Sequence, residues 1–303
     1  MRFKQYCSIE LIFLLYTTVG GINGCRCDAP ETRKKSTDIA PSDSADMHHK
    51  LFSDAVSAVA EVLAETDPGI IAFGEYHQQI QTTGVQSALK RFTNSILPSV
   101  KHRLTDLVVE TWISTGGCGK NEGVVTNEVD KVTKRPAATE DETVTLIRTA
   151  AAFGIKPSVL ELACDDYGRL IGDAGVDYLA LLELVGERLG STAKRAYLDR
   201  HPSGAARTPR QNGVVAIFGG AIHNDARPLE MWKTVSFGPD LATLDAGYIE
   251  IDLVVPEFVE NSDVAKKERW YPIFEETASH DAVSLIETGP RAYVLVLKKG
   301  ITD

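Results

Sequence analysis

Short apolar runs that alternate with helical periods constrain the fold of this chain more than any other feature of its sequence. Four runs have the length of buried strands and stop abruptly at polar residues, and two more follow near the C-terminal end. They cover residues 70–73, 107–109, 158–162, 214–218, 248–255 and 292–297. Strands alternating with helices predict an α/β fold with a mixed, mostly parallel sheet covered by helices on both faces.

Apolar residues at steps of three and four predict the helices between these strands. The periods cover residues 52–63, 85–96, 144–151 and 178–189, and the last is expected to end at Gly190. Residues 113–138 have no strong period and predict a long loop, which in a compact domain is usually functional or disordered. No linker is visible after residue 50, so residues 49–303 are expected to form a single domain.

The N-terminal segment has the features of a targeting signal. Arg2 and Lys4 form a basic head, and residues 9–22 form an apolar stretch that is too short to span a bilayer comfortably. Residues 22–25 resemble the lipobox of bacterial lipoproteins, although ordinary signal cleavage nearby is the alternative. We therefore expect residues 1–24 to be a lipoprotein signal peptide and Cys25 to be the lipidated N-terminus of the mature chain.

Residues 25–48 are rich in Pro, Ser, Thr, Asp and Lys and have almost no large apolar side chain, so they predict a disordered tether. A lipid anchor at Cys25 would hold the domain against a membrane, in the cell envelope and outside the cytoplasm. Arg26 follows the cysteine where inner-membrane retention is associated with Asp, which favours the outer membrane. The net charge of −10 argues against a nucleic-acid partner, and the oligomeric state stays open.

Polar residues of catalytic type follow the predicted strands. Glu75 and His77 follow the first, Glu110 the second, and His223 the fourth. The spacing Gly-x-x-His occurs twice, ending at His77 and His223. Because ligand sites in α/β sheets lie beyond the carboxyl ends of the strands, we expect these four side chains to meet.

Two chemistries suit this set of residues, and the sequence leaves both open. Glu75, His77 and His223 are suitable ligands for a divalent metal ion, which would activate a bound water. Without metal, the histidines would act as base and acid, with Glu75 or Glu110 fixing a tautomer.

Three short segments resemble the superfamily that joins ChaN-like haem-binding lipoproteins, erythromycin esterases and the TraB/Tiki proteases. They are the segment 74–77, the strand ending at Glu110 and the segment 219–223. The resemblance covers about residues 51–298 in order of elements. It implies a mixed α/β fold with Glu75, His77, Glu110 and His223 as site residues. It further implies a hydrolase that acts on a small molecule or a peptide, with haem or iron-ligand binding as the alternative. Gln78 and Gln79 stand where ChaN-like proteins often have further histidines.

Two cysteines of the predicted domain are candidates for a disulfide. Cys118 and Cys164 both come shortly after predicted strand ends, and an extracytoplasmic compartment is oxidising. A bridge would pin the segment after Glu110 over the site, and two unpaired buried thiols are the alternative.

Overall fold

The computed structural model describes residues 47–78, 82, 84–173, 175–201 and 213–302. The predicted signal peptide, Cys25 and the tether as far as residue 46 lie outside these described residues. Within the described part, no helix combines the length and the apolar character needed to cross a membrane.

Eight strands of the described chain form one mixed sheet, and two short strands form a separate hairpin. The strands are β1 His49–Phe52, β2 Ile70–Glu75, β3 Leu104–Thr115, β4 Lys156–Ala163, β5 Ile171–Gly172, β6 Gly175–Val176, β7 Val214–Gly220, β8 Ile249–Val254, β9 Val283–Gly289 and β10 Ala292–Val296. The order in the large sheet is β1-β9-β10-β8-β2-β7-β3-β4. From β10 to β4 every pairing is parallel, whereas β9 runs antiparallel to both β10 and β1. The predicted mixed, mostly parallel sheet is confirmed.

Helices connect the parallel strands, as such pairings require. They are α1 Ala55–Thr66, α2 Ala88–Arg91, α3 Leu97–Val100, α4 Gly119–Thr133, α5 Ala138–Ala152, α6 Cys164–Leu170, α7 Tyr178–Arg200, α8 Ala221–Asn224, α9 Gly238–Ala242, α10 Pro256–Val259 and α11 Tyr271–Thr277. A π-helical turn, Phe92–Ile96, joins α2 to α3.

Apolar side chains fill both faces of the sheet. In β2, Ile71 and Phe73 belong to a core cluster that includes residues of α1, α3 and α5. Ile70 and Ala72, which alternate with them, belong to a second cluster built largely on α7. Successive side chains of a strand point to opposite faces, so the sheet is buried between two helical layers.

Two predictions between the strands are wrong. The predicted loop 113–138 contains α4, whose apolar face is short because Val125 is its one buried residue. The helix expected to end at Gly190 runs on to Arg200. A Cβ at Gly190 would lie 2.6 Å from the Cβ of Phe237, so this glycine permits close packing inside the helix and does not end it.

Candidate functional site

β2 and β7 are neighbours, and their register places the two Gly-x-x-His segments side by side. Gly74 pairs with Gly219, and Glu75 pairs with Gly220. The predicted site therefore lies at the carboxyl ends of two adjacent parallel strands. Glu75 is the last residue of β2, and His77 and His223 follow the ends of β2 and β7.

Glu75 and His77 form a hydrogen-bonded pair at the end of β2. Glu75 Oε1 lies 2.8 Å from His77 Nδ1. The Glu75 side chain is 7% exposed and that of His77 is 26% exposed, so a buried carboxylate holds an imidazole that reaches the surface. Side chains two residues apart in an extended chain project to the same side, which brings these two together.

Arg135, which the sequence analysis did not single out, determines the tautomer of His77. Its Nη2 lies 2.6 Å from His77 Nε2. Because a guanidinium has no acceptor, Nε2 must carry a lone pair and accept this hydrogen bond. The ring proton is then on Nδ1 and is donated to Glu75. Arg135 lies just after α4, so the error that replaced α4 with a loop also hid its position.

Glu110 does not end a strand, and that prediction needs correction. β3 continues to Thr115, and its pairing with β4 jumps from Val109 to Trp112. Glu110 therefore lies in a bulge, which is a common way of redirecting a side chain toward a site. Its Oε2 accepts the backbone N–H of Gly220 at 2.5 Å, and its Oε1 lies 3.9 Å from Arg135 Nη2.

The charges around Glu110 keep it ionised. Burial alone would raise the pKa of this carboxyl, but its electrostatic interactions with His223, with His77 and with the Arg135 guanidinium together outweigh that effect. The hydrogen bond from Gly220 acts in the same direction, and the pKa lies below its usual value.

Gly219 and Gly220 leave the space that the site occupies. A Cβ at Gly219 would lie 2.7 Å from Glu110 Oε2, and one at Gly220 would lie 2.9 Å from His77 Nε2. These two glycines allow side chains to approach the backbone closely, which is one reason for a glycine where a strand ends.

His223 supports the site from the interior. It is 1% exposed and lies in α8, directly after β7. Its Nδ1 donates to the backbone carbonyl of Val235 at 3.1 Å. Its electrostatic interaction with Glu110 is the largest of those that lower the pKa of that carboxyl, but no described hydrogen bond joins it to Glu75, His77 or Glu110. The structure thus brings the four predicted residues to one region, with Glu75 and His77 in direct contact.

The predicted metal site does not fit this arrangement well. Among the described residues, no group of three His, Cys, Asp or Glu side chains is placed to hold a metal ion. Both nitrogens of His77 have partners, and the Nε2 partner is a fixed cation. The same contacts leave His77 without a free nitrogen for haem iron. Metal and haem binding stay predictions.

The sulfurs of Cys118 and Cys164 are bonded to each other, with a Cα–Cα distance of 4.9 Å. The bond joins the N-cap of α4 to the first residue of α6. It holds the start of α4, whereas Arg135 follows the end of that helix. The bridge therefore limits where the segment carrying Arg135 can lie.

The space beside His77 is small. A cavity of about 10 Å³ is lined by His77, Arg135, Glu75 and Glu142, among others, which is about the room that one water needs. A larger cavity of about 720 Å³ lies between α6, α7 and residues 233–241, and no predicted site residue lines it. The cavity beside His77 therefore has room for about one water, and His77 and Arg135 are the most exposed side chains of the site.

Three carboxylates beside the site, those of Glu250, Asp252 and Glu268, were not singled out in the sequence. Burial raises the pKa of Glu250 to about 9, that of Asp252 to about 7 and that of Glu268 to about 6, and it also raises the pKa of Asp225. Asp252 lies opposite Gly74 in β2 and accepts a hydrogen bond from Asn224 at 3.0 Å. In the sequence of β8, Glu250 and Asp252 alternate with apolar residues, and this pattern could have revealed the group.

Comparisons with known proteins give little further information. The fold and site define an α/β chain with a carboxylate–histidine pair at the ends of adjacent parallel strands. The chain matches no family model and no curated protein. Among solved structures, the type III effector HopBA1 is similar with a TM-score of 0.35 and 11% identity, over 80% of this chain and 92% of that one. A likeness at that TM-score carries no argument about function.

Proposed function

We propose that this protein is a hydrolase in which Glu75 and His77 activate a water against an ester or amide carbonyl. The observation that carries the proposal is the hydrogen-bonded series Glu75–His77–Arg135. A carboxylate holds Nδ1–H, so the lone pair is on Nε2 at the far side of the ring, where it accepts a hydrogen bond from Arg135. That orientation is what a general base requires.

The reaction can be written with these residues alone. The water oxygen forms a bond to the acyl carbon while its proton passes to His77 Nε2. The charge on Glu75 stabilises the imidazolium that forms. Collapse of the tetrahedral intermediate breaks the bond between the acyl carbon and the leaving oxygen or nitrogen. His77 returns the proton to the leaving group, giving a carboxylic acid and an alcohol or amine.

The resemblance to the ChaN, Tiki and erythromycin-esterase superfamily supports the same proposal. Its implied site residues are Glu75, His77, Glu110 and His223, and these side chains occupy one region. We further propose a lipid anchor at Cys25 and a place in the cell envelope. The disulfide between Cys118 and Cys164 suits an oxidising compartment.

The test compares hydrolysis by wild type with that by His77→Ala and Glu75→Gln. A panel of 4-nitrophenyl acyl esters, an aliphatic lactone and fluorescein-labelled casein covers esters and peptides. We expect kcat/KM on the best substrate to fall by about 100- to 10,000-fold in each variant, because a positioned base and its carboxylate partner contribute effects of that size.

His102→Ala and Glu161→Gln are matched controls, since both residues are exposed and lie outside the site. They should retain wild-type rates. Wild-type protein that cleaves no member of the panel, or His77→Ala protein that cleaves as fast as wild type, would refute the proposal.

A further inference from the structure

Arg135 has more donors than partners. A guanidinium offers five N–H groups in a planar fork. Among the described residues, Nη2 donates to His77, whereas Nε is buried and has no hydrogen-bond partner. Buried donors are nearly always satisfied in folded proteins, so the orphaned Nε calls for an acceptor that the described residues do not supply.

No carboxylate of the site takes this position. Glu110 Oε1 lies 3.9 Å from Arg135 Nη2, which is too far for a hydrogen bond, and its Oε2 is engaged by Gly220. Glu75 Oε1 is engaged by His77. Each carboxylate thus has its own donor, and the fork of Arg135 has no bidentate acceptor among the described residues.

The position of Arg135 connects binding to catalysis. Its Nη2 covers His77 Nε2, the atom that must accept a proton from water. A carbonyl oxygen is a weak competitor for a guanidinium, whereas a carboxylate binds it bidentately through charge-assisted hydrogen bonds. A substrate carboxylate would therefore draw the guanidinium away and uncover the base.

We propose that Arg135 anchors a carboxylate of the substrate, so that the enzyme selects acyl esters or amides with a carboxylate close to the scissile bond. The inference rests on the proposed hydrolytic function and names its substrate class. Arg135 binds and positions the substrate, and the hydrolytic step itself is unchanged. Neutral esters would be poor substrates because they would leave His77 Nε2 hydrogen-bonded to Arg135.

The experiment compares two esters that differ in one charge. Mono(4-nitrophenyl) glutarate carries a free carboxylate, and 4-nitrophenyl methyl glutarate carries a neutral methyl ester in its place. With spontaneous hydrolysis subtracted, wild type should have a kcat/KM about 10- to 100-fold higher for the charged ester, the advantage expected of a hydrogen bond between charged groups. Arg135→Gln should remove that preference.

Glutarate binding, measured by calorimetry, gives a readout that does not need turnover. Arg135→Gln should weaken it about 10-fold or more. Arg148→Gln is the matched control, since Arg148 is exposed on α5, and it should bind glutarate as wild type does. If Arg135→Gln unfolds, Arg135→Lys keeps the charge without the fork and should lose most of the preference.

Equal rates on the two esters in wild type, or unchanged glutarate binding by Arg135→Gln, would overturn the carboxylate anchor. His77-dependent hydrolysis without any charge preference refutes the anchor and leaves the hydrolase standing. Arg135-dependent glutarate binding with no hydrolysis of either ester refutes the hydrolase and leaves a carboxylate-binding site.

Discussion

At the scale of single residues, the absence of a side chain is as important as its presence. Gly220 has φ −67° and ψ 139°, which any residue adopts, so backbone strain does not explain the glycine. The reason is space, because an added Cβ would lie 2.9 Å from His77 Nε2 and 3.4 Å from Glu110 Oε2. The two motif histidines could be found in the sequence by their spacing, but this crowding could not.

Gly220→Ala should therefore damage the site more than the fold. We expect a loss of about 1–3 kcal/mol in the free energy of unfolding from overpacking, and a larger proportional loss of kcat/KM because His77 must move. Denaturant unfolding and ester hydrolysis measure the two effects. Gly123→Ala, inside α4 with no atom within 4 Å of its added Cβ, should stabilise by about 0.5–1 kcal/mol and leave activity unchanged. Unchanged activity in Gly220→Ala would contradict the close contact of Gly220 with His77 and Glu110.

At the scale of elements, the segment between β3 and α5 shows how far the sequence could be interpreted. The strands were predictable because their apolar runs are continuous. The bulge at Glu110 was not predictable, because it arises from a shift in the register of β3 with β4, and no local sequence pattern indicates that shift. α4 was missed because its single buried residue, Val125, creates no apolar period. The position of Arg135 depends on both elements, which is why the site prediction lacked it.

The disulfide between Cys118 and Cys164 should stabilise this segment. The two residues are 46 apart in sequence, and closing a loop of that length is expected to contribute about 3–4 kcal/mol to the free energy of unfolding. Denaturant unfolding of the Cys118→Ser, Cys164→Ser double variant should show that loss. Wild type treated with reductant serves as the comparison and should lose the same amount. Stoichiometric reaction of both thiols in unreduced, denatured protein would show that no bond exists.

At the scale of the whole molecule, buried carboxylates on β8 make stability depend on pH. Glu250 is 7% exposed, faces Asp252, Asp225 and Arg227, and accepts the N–H of Ala226. Its pKa of about 9 exceeds the value of about 4.3 in an unfolded chain, so the folded state holds a proton that the unfolded state has lost. Between these values stability falls as pH rises, by up to about 1.4 kcal/mol per pH unit for one proton.

Glu250→Gln keeps a neutral side chain of the same shape and should flatten this dependence. We expect wild type to lose stability between pH 7 and 9, and the variant to lose less, as measured by urea unfolding at several pH values. Glu287→Gln, at an exposed position of β9, should follow wild type. Parallel curves for wild type and Glu250→Gln would show that Glu250 is ionised in the folded protein.

The pairing of β3 with β7 has a consequence for the order in which the parts of the molecule form. Glu110 and the Gly220 N–H that it accepts are 110 residues apart, and the strands that hold them join only after the intervening chain has been gathered. Such distant parallel pairings form slowly, because closing long loops costs entropy before contacts offset it. The helices can therefore form well before the site does, and a newly synthesised chain would have no assembled site until its central strands had found their register.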